Sequence, residues 1–169
     1  MPTPEELRVE LARATTLGLV TLCRSAEKRH GLPRALMLAI ASRETGCRDI
    51  VGDFGHGRGV FQIDDRFHHE WLAAHAAAAP GALPPLKAAA ELAATLLAGG
   101  LDVARTRALK DEAAVKFAAC AYNAGTGGAL DGLRRGDPDL ATTGRDYGSD
   151  VVRRMRAFRA LERGEAAQQ

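Results

Sequence analysis

Three carboxylic acids carry the first chemical signal. Glu44 comes three positions after the run Ala35-Leu-Met-Leu-Ala-Ile-Ala41, which is apolar on every side, and Asp53 and Asp64 follow it nine and twenty positions later. A helix C-terminus and apolar surroundings both disfavour a carboxylate, so Glu44 is expected to hold its proton. That is a general acid's environment. The two aspartates are too far along the chain for one helix face. Glycines at 46, 52, 55, 57 and 59 allow the chain to reverse and bring them opposite Glu44. Glycosidic cleavage uses such a set: an acid protonates the leaving oxygen, and for inversion a second carboxylate about 6.5–9.5 Å away leaves room for a water. The competing readings are a solvated helix end for Glu44 and Asx-turn chemistry for an Asp beside Gly.

Helices must position these acids. Thr3-Pro4-Glu5-Glu6 predicts an N-cap, a first-turn proline and a capping-box acid, opening a helix from about 4 to 29 that Gly31 stops. Pro33 opens a buried helix ending at Glu44-Thr45-Gly46. Residues 50–64 are expected to be irregular or a small β-hairpin, with Gly59-Val-Phe-Gln-Ile-Asp64 extended. Helical patterns return over 66–78, 85–99, 101–108, 112–123 with Asp111 as N-cap, 127–134 and 147–163. Pro80, Pro84-Pro85, Gly99-Gly100, Gly125 and Gly136-Asp-Pro138 supply the expected breaks.

The composition fits this picture. The 169 residues suit one domain, and 46% hydrophobic with 26% charged residues exclude a disordered chain. Aromatics at 5%, with abundant alanine, favour close-packed helices over sheet. The fold class expected is mainly α. Lys and Arg number 23 against 21 Asp and Glu, without a dense basic block, so nucleic acid is not an expected partner. Leu17 to Cys23 is too short to span a bilayer, and the acidic start Met1-Pro-Thr-Pro-Glu-Glu does not read as a signal peptide. Cys23, Cys47 and Cys120 lack CxxC spacing and read as buried thiols. No metal is expected: His68 and His69 are adjacent on a helix, and Asp146 to Asp150 lacks calcium-loop spacing. Gly55-His-Gly57-Arg-Gly59 has no βαβ context for phosphate. No cofactor is expected.

Taken in order, Ser42-Arg-Glu44, Gly52-Asp53, Gly59-Val-Phe-Gln62-Ile-Asp64, Ala121-Tyr122-Asn123-Ala124-Gly125 and Thr142-Thr-Gly-Arg-Asp-Tyr147 resemble the goose-type lysozymes and the related soluble lytic transglycosylases. The resemblance covers about residues 30–160. It implies a lysozyme-like single domain with a glycan groove, cleaving the β-1,4 bond between N-acetylmuramic acid and N-acetylglucosamine in peptidoglycan. Glu44 would be the acid. Asp53 and Asp64 match the aspartates thought to hold the attacking water, a pair that lytic transglycosylases generally lack, so inverting hydrolysis is the implied reaction. Gln62, Tyr122, Asn123 and Tyr147 match polar groove residues, and Phe61 and His56 complete the expected substrate-binding set. The alternatives are a lytic transglycosylase forming a 1,6-anhydro end, a non-catalytic wall-binding or structural module, and a chitinase on the same scaffold. The expected partner is the glycan strand of the bacterial cell wall, where the protein is expected to act, and the expected state is a monomer.

Overall fold

The first helix starts as its sequence dictates. The Thr3 hydroxyl accepts from the Glu6 N–H, the Glu6 carboxylate accepts from the Thr3 N–H, and Pro4 occupies the first turn. The computed structural model describes residues 2–79 and 81–164, so the break expected at Pro80 lies outside the described residues. Along the chain run α1 (Pro4–Thr16), α2 (Leu19–His30), α3 (Leu36–Thr45), β1 (Val51–Gly52), β2 (Gly57–Arg58), β3 (Ile63–Asp64), α4 (Asp65–His75), α5 (Leu86–Thr106), α6 (Asp111–Arg134) and α7 (Tyr147–Glu162). The architecture is mainly helical with one small antiparallel sheet in the order β1-β2-β3.

Several expected boundaries move. The helix expected over 4–29 is two, because Gly18 takes a left-handed φ of 70° between α1 and α2. The pair Gly99-Gly100 does not break α5. A Cβ at Gly100 would lie 2.9 Å from the Ala118 Cα, so this glycine lets α5 and α6 cross closely. Gly125 interrupts α6 as expected between 112–123 and 127–134: its φ of 72° and ψ of 158° are not helical, so two helical stretches meet there at a kink. Asp111 is not an N-cap: Lys110 holds that position, and Asp111 itself has φ 47°. The expected 66–78 helix begins one residue earlier, with Asp64 as its side-chain cap, and ends at His75. The extended segment expected over 59–64 is extended only at Ile63–Asp64, since residues 59–62 turn and Gln62 has φ 48°. Among the described residues no helix is long and apolar enough to cross a membrane.

Helix α3 lies at the centre, with every residue from Leu36 to Ser42 buried, as its all-round apolar pattern requires. Its N-terminus has no side-chain cap of its own, because the capping position is Ala35, left-handed at φ 64° and without a polar side chain. Glu27 of α2 supplies one. Its carboxylate accepts from the N–H groups of Ala35 (3.1 Å) and Met37 (2.9 Å). Burial pushes this carboxyl up to about 7, only partly offset by those two bonds. A folded-state value above the unfolded one means that the stability Glu27 contributes is fully present below about pH 4.5 and is lost as pH rises through about 7. Glu27→Ala is therefore expected to cost about 2 kcal/mol in chemical denaturation. The deficit relative to wild type should shrink between pH 5 and 8; a deficit that grows would refute this account.

The other end of α3 is fixed from both sides. Arg13 of α1 donates to the Gly46 carbonyl. Arg43 reaches α7, bonding Asp146 (2.9 Å) and Asp150 (3.2 Å). Arg154 joins Asp150 (2.6 Å) to the Ser42 hydroxyl (2.6 Å), which in turn donates to Glu10. Glu44 is thereby carried on a helix end with little freedom to move.

Candidate active site

A cleft of about 890 Å³ opens where the end of α3, the sheet, the start of α4, the middle of α6 and the start of α7 meet. Glu44, Asp53 and Asp64 all line it, as do Gln62, Tyr122, Asn123 and Tyr147. Six stretches of chain, at residues 43–44, 53, 62–68, 96, 121–126 and 143–147, thus contribute to one concavity.

Glu44 sits at the cleft wall, partly exposed. Burial pushes its carboxyl up to about 7, and the negative charge of Asp53 adds to that. The Tyr147 hydroxyl, which donates to Glu44 Oε1, and the neighbouring Arg43 pull the other way. Near neutrality the carboxyl is poised between its acid and base forms, the condition for efficient proton donation. Tyr147 and Tyr122 are themselves held well above the usual phenol range by burial and by the charge of Glu44, so both hydroxyls stay protonated. Tyr122 donates to the Phe61 carbonyl (2.7 Å), tying α6 to the turn before β3. Asn123 Oδ1 accepts from the Thr143 N–H (3.0 Å), leaving its amide NH₂ for the cleft.

The sheet presents the aspartates. Val51 pairs with Arg58, and Gly57 with Asp64. The Gln62 amide lies across this surface, donating to the carbonyls of Ile50 (3.2 Å) and Gly59 (2.8 Å). Cβ atoms at Gly52 and Gly57 would collide with its Oε1, so these two glycines are needed for the close approach. Gln62 therefore lines the cleft while bracing the sheet. Asp53 follows immediately in a 3₁₀ turn, where Asp53 and Phe54 both have positive φ, 46° and 52°.

Two expected substrate-binding residues are elsewhere. Phe61 is fully buried in the core, and only its backbone carbonyl contributes, by receiving Tyr122. His56 does not line the cleft; its ring bonds Asp65 (2.8 Å), which also accepts from Arg58 (2.7 Å). Sequence reasoning also missed Arg66, whose guanidinium joins Asp64 and Asp53. The signal was an acid at the N-cap with an arginine two residues on. Phe67, 78% exposed, is a further lining residue that the sequence reading overlooked.

Asp139 was missed as well. Buried between α6 and α7, it accepts from the N–H groups of Gly148 (2.6 Å) and Ser149 (3.1 Å), the Ser149 hydroxyl (2.6 Å) and the Cys120 thiol (3.3 Å), and it pairs with Lys116 (3.2 Å). Burial opposes its ionisation, but the Ser149 hydroxyl and the backbone donors outweigh that and bring it down to about 2. Asp139 anchors the first turn of α7, and with it Tyr147. Gly148 permits this approach, since a Cβ there would lie 2.7 Å from the Lys116 carbonyl oxygen.

Chemically, the cleft offers a proton donor at one wall and anionic groups that share the same space. Among the described residues no group of three or more His, Cys, Asp or Glu is placed to hold a metal ion. No family model matches the chain, and no curated protein matches it.

Proposed function

We propose that the protein is a peptidoglycan muramidase, hydrolysing the β-1,4 bond between N-acetylmuramic acid and N-acetylglucosamine with inversion. The observation that carries this reading is the Glu44 carboxyl, raised to about 7 and opening into a cleft that Asp53 and Asp64 also line. Glu44 would protonate the leaving glycosidic oxygen while a water, held by the aspartate side, attacks the anomeric carbon from the opposite face. The Asn123 amide suits an acetamido group, and the exposed Phe67 ring offers an apolar face to a sugar. The ordered motifs that resemble goose-type lysozymes support the same reading.

Digestion of purified peptidoglycan with mass analysis of the product ends tests it. Reducing muramic acid ends are expected, whereas ends lighter by one water would mark a lytic transglycosylase. That second reading draws support from the Arg66 guanidinium, which already occupies part of the aspartate pair.

The pH profile is a separate test. Glu44 must be protonated, so kcat/KM should fall as pH rises through about 7. Donation from Tyr147 stabilises the ionised form of Glu44, and removing it should raise the carboxyl further. Tyr147→Phe is expected to lower the rate yet shift this alkaline limb to higher pH. A limb that stays in place or moves to lower pH would contradict the proposed role.

A further inference from the structure

Asp53 and Asp64 enter the cleft together, but their hydrogen bonds divide them. Asp64 Oδ1 accepts from the Arg66 backbone N–H (2.8 Å) and from its Nε (2.9 Å), while Oδ2 accepts from Nε (3.1 Å) and a terminal nitrogen (2.6 Å). Three N–H groups of Arg66 thus engage both oxygens of Asp64: the backbone N–H, the single Nε–H shared between the two oxygens, and a terminal N–H. Asp53 takes a single bond from Arg66, through Oδ2. Among the described residues its Oδ1 accepts no hydrogen bond. Asp53 is also the aspartate whose charge bears on the proton of Glu44.

We propose that the two aspartates have different duties: Asp53 orients and deprotonates the attacking water, whereas Asp64 and Arg66 are positioning residues that hold Asp53 in place. The inference rests on the hydrolytic reading above. Asp64 caps α4 and fixes the Arg66 guanidinium, and the terminal nitrogen that bonds Asp64 also bonds Asp53 in its positive-φ turn. With one guanidinium between two carboxylates, one net negative charge is left on the water side. Asp65, on the same helix, is occupied by His56 and Arg58, so it does not compete for Arg66. In the step itself, the water oxygen bonds to the anomeric carbon as the C1–O bond breaks. The bonding pair goes to the leaving oxygen, which takes the Glu44 proton, and a water proton passes to Asp53. Solvent then returns a proton to Glu44 and removes one from Asp53.

The test compares Asp53→Asn, Asp64→Asn and Arg66→Gln in the full chain, reading kcat, KM, response to azide and thermal melting. Asp53→Asn should lose about 100-fold in kcat with KM nearly unchanged. Azide, which needs no base, should restore its turnover and give a muramyl azide visible by mass. Asp64→Asn should lose about tenfold or less and show no azide response. Arg66→Gln should lower kcat at constant KM, and Arg66→Lys should recover only part of it, because lysine lacks the fork. Equal losses at 53 and 64, or azide rescue of Asp64→Asn alone, would overturn the division. Anhydro ends from wild type would overturn the role of Asp53 together with hydrolysis itself. A wild type that releases nothing would defeat the hydrolytic reading and the water-handling role, and melting would still judge the structural half. Asp64→Ala should melt several degrees lower and Asp53→Ala should not; equal melting points would overturn that half too.

Discussion

Glu44→Gln is expected to abolish turnover, with a fall of about 10²–10⁴-fold in the initial rate of muramic acid release. The amide preserves the shape and can still accept from the Tyr147 hydroxyl, but its N–H groups are far too weakly acidic to protonate a leaving oxygen. The fold should be untouched. Above pH 7 the variant should be at least as stable as wild type, because the neutral amide avoids the burial penalty that raises the Glu44 carboxyl. The measurements are product release at pH 6 and thermal melting at pH 6 and 8. A variant that melts like wild type and still cleaves at a tenth of its rate would remove Glu44 from the reaction.

Asp139→Ala should produce the largest loss of stability. It would leave the first turn of α7 without its acceptor for the Gly148 and Ser149 N–H groups, while Lys116 would keep only Asp137 (2.8 Å). Several charge-assisted hydrogen bonds to α7 would be lost at about 1–3 kcal/mol each where the donors stay buried, together about 3–5 kcal/mol. For a chain of this length, at roughly 2–4 °C per kcal/mol, the melting temperature should fall by about 10 °C. Its pH dependence has a definite sign. The folded-state carboxyl lies at about 2, below its ordinary value of 3.8, so the stability it contributes is present above about pH 3.8 and is lost as pH falls through about 2. The gap between variant and wild type should therefore narrow on acidification. Activity should drop as well, even well below the melting temperature, since Tyr147 starts the helix that Asp139 anchors.

The buried helix α3 was legible because seven consecutive apolar or small residues leave no polar face, and Glu44 followed from its position at the end of that run. The Thr3 capping box was legible because both partners lie within one turn. What escaped depends on neighbours distant in sequence. Gly100 reads as a helix breaker until Ala118 is placed against it, and Gly18 reads as part of a continuous amphipathic run until its left-handed φ is known. Asp139 and Glu27 are ordinary acids in sequence, and their importance comes from helix ends that they cap from outside. Phe61 fell within an expected motif and His56 in the glycine-rich stretch before it, but they face the core and Asp65, because the chain turns at 59–62. Alternation along the chain does not show which side of such a turn meets the cleft.

Cys23, Cys47 and Cys120 are all unpaired and buried, and burial raises each thiol above its ordinary range. Nucleophilic sulfur is thus kept out of reach in the native state. Assembly of this chain accordingly needs no oxidant and no isomerase to sort cross-links. Alkylating reagents such as iodoacetamide should find a sulfur target only when the molecule opens, so their uptake would count excursions to the denatured state.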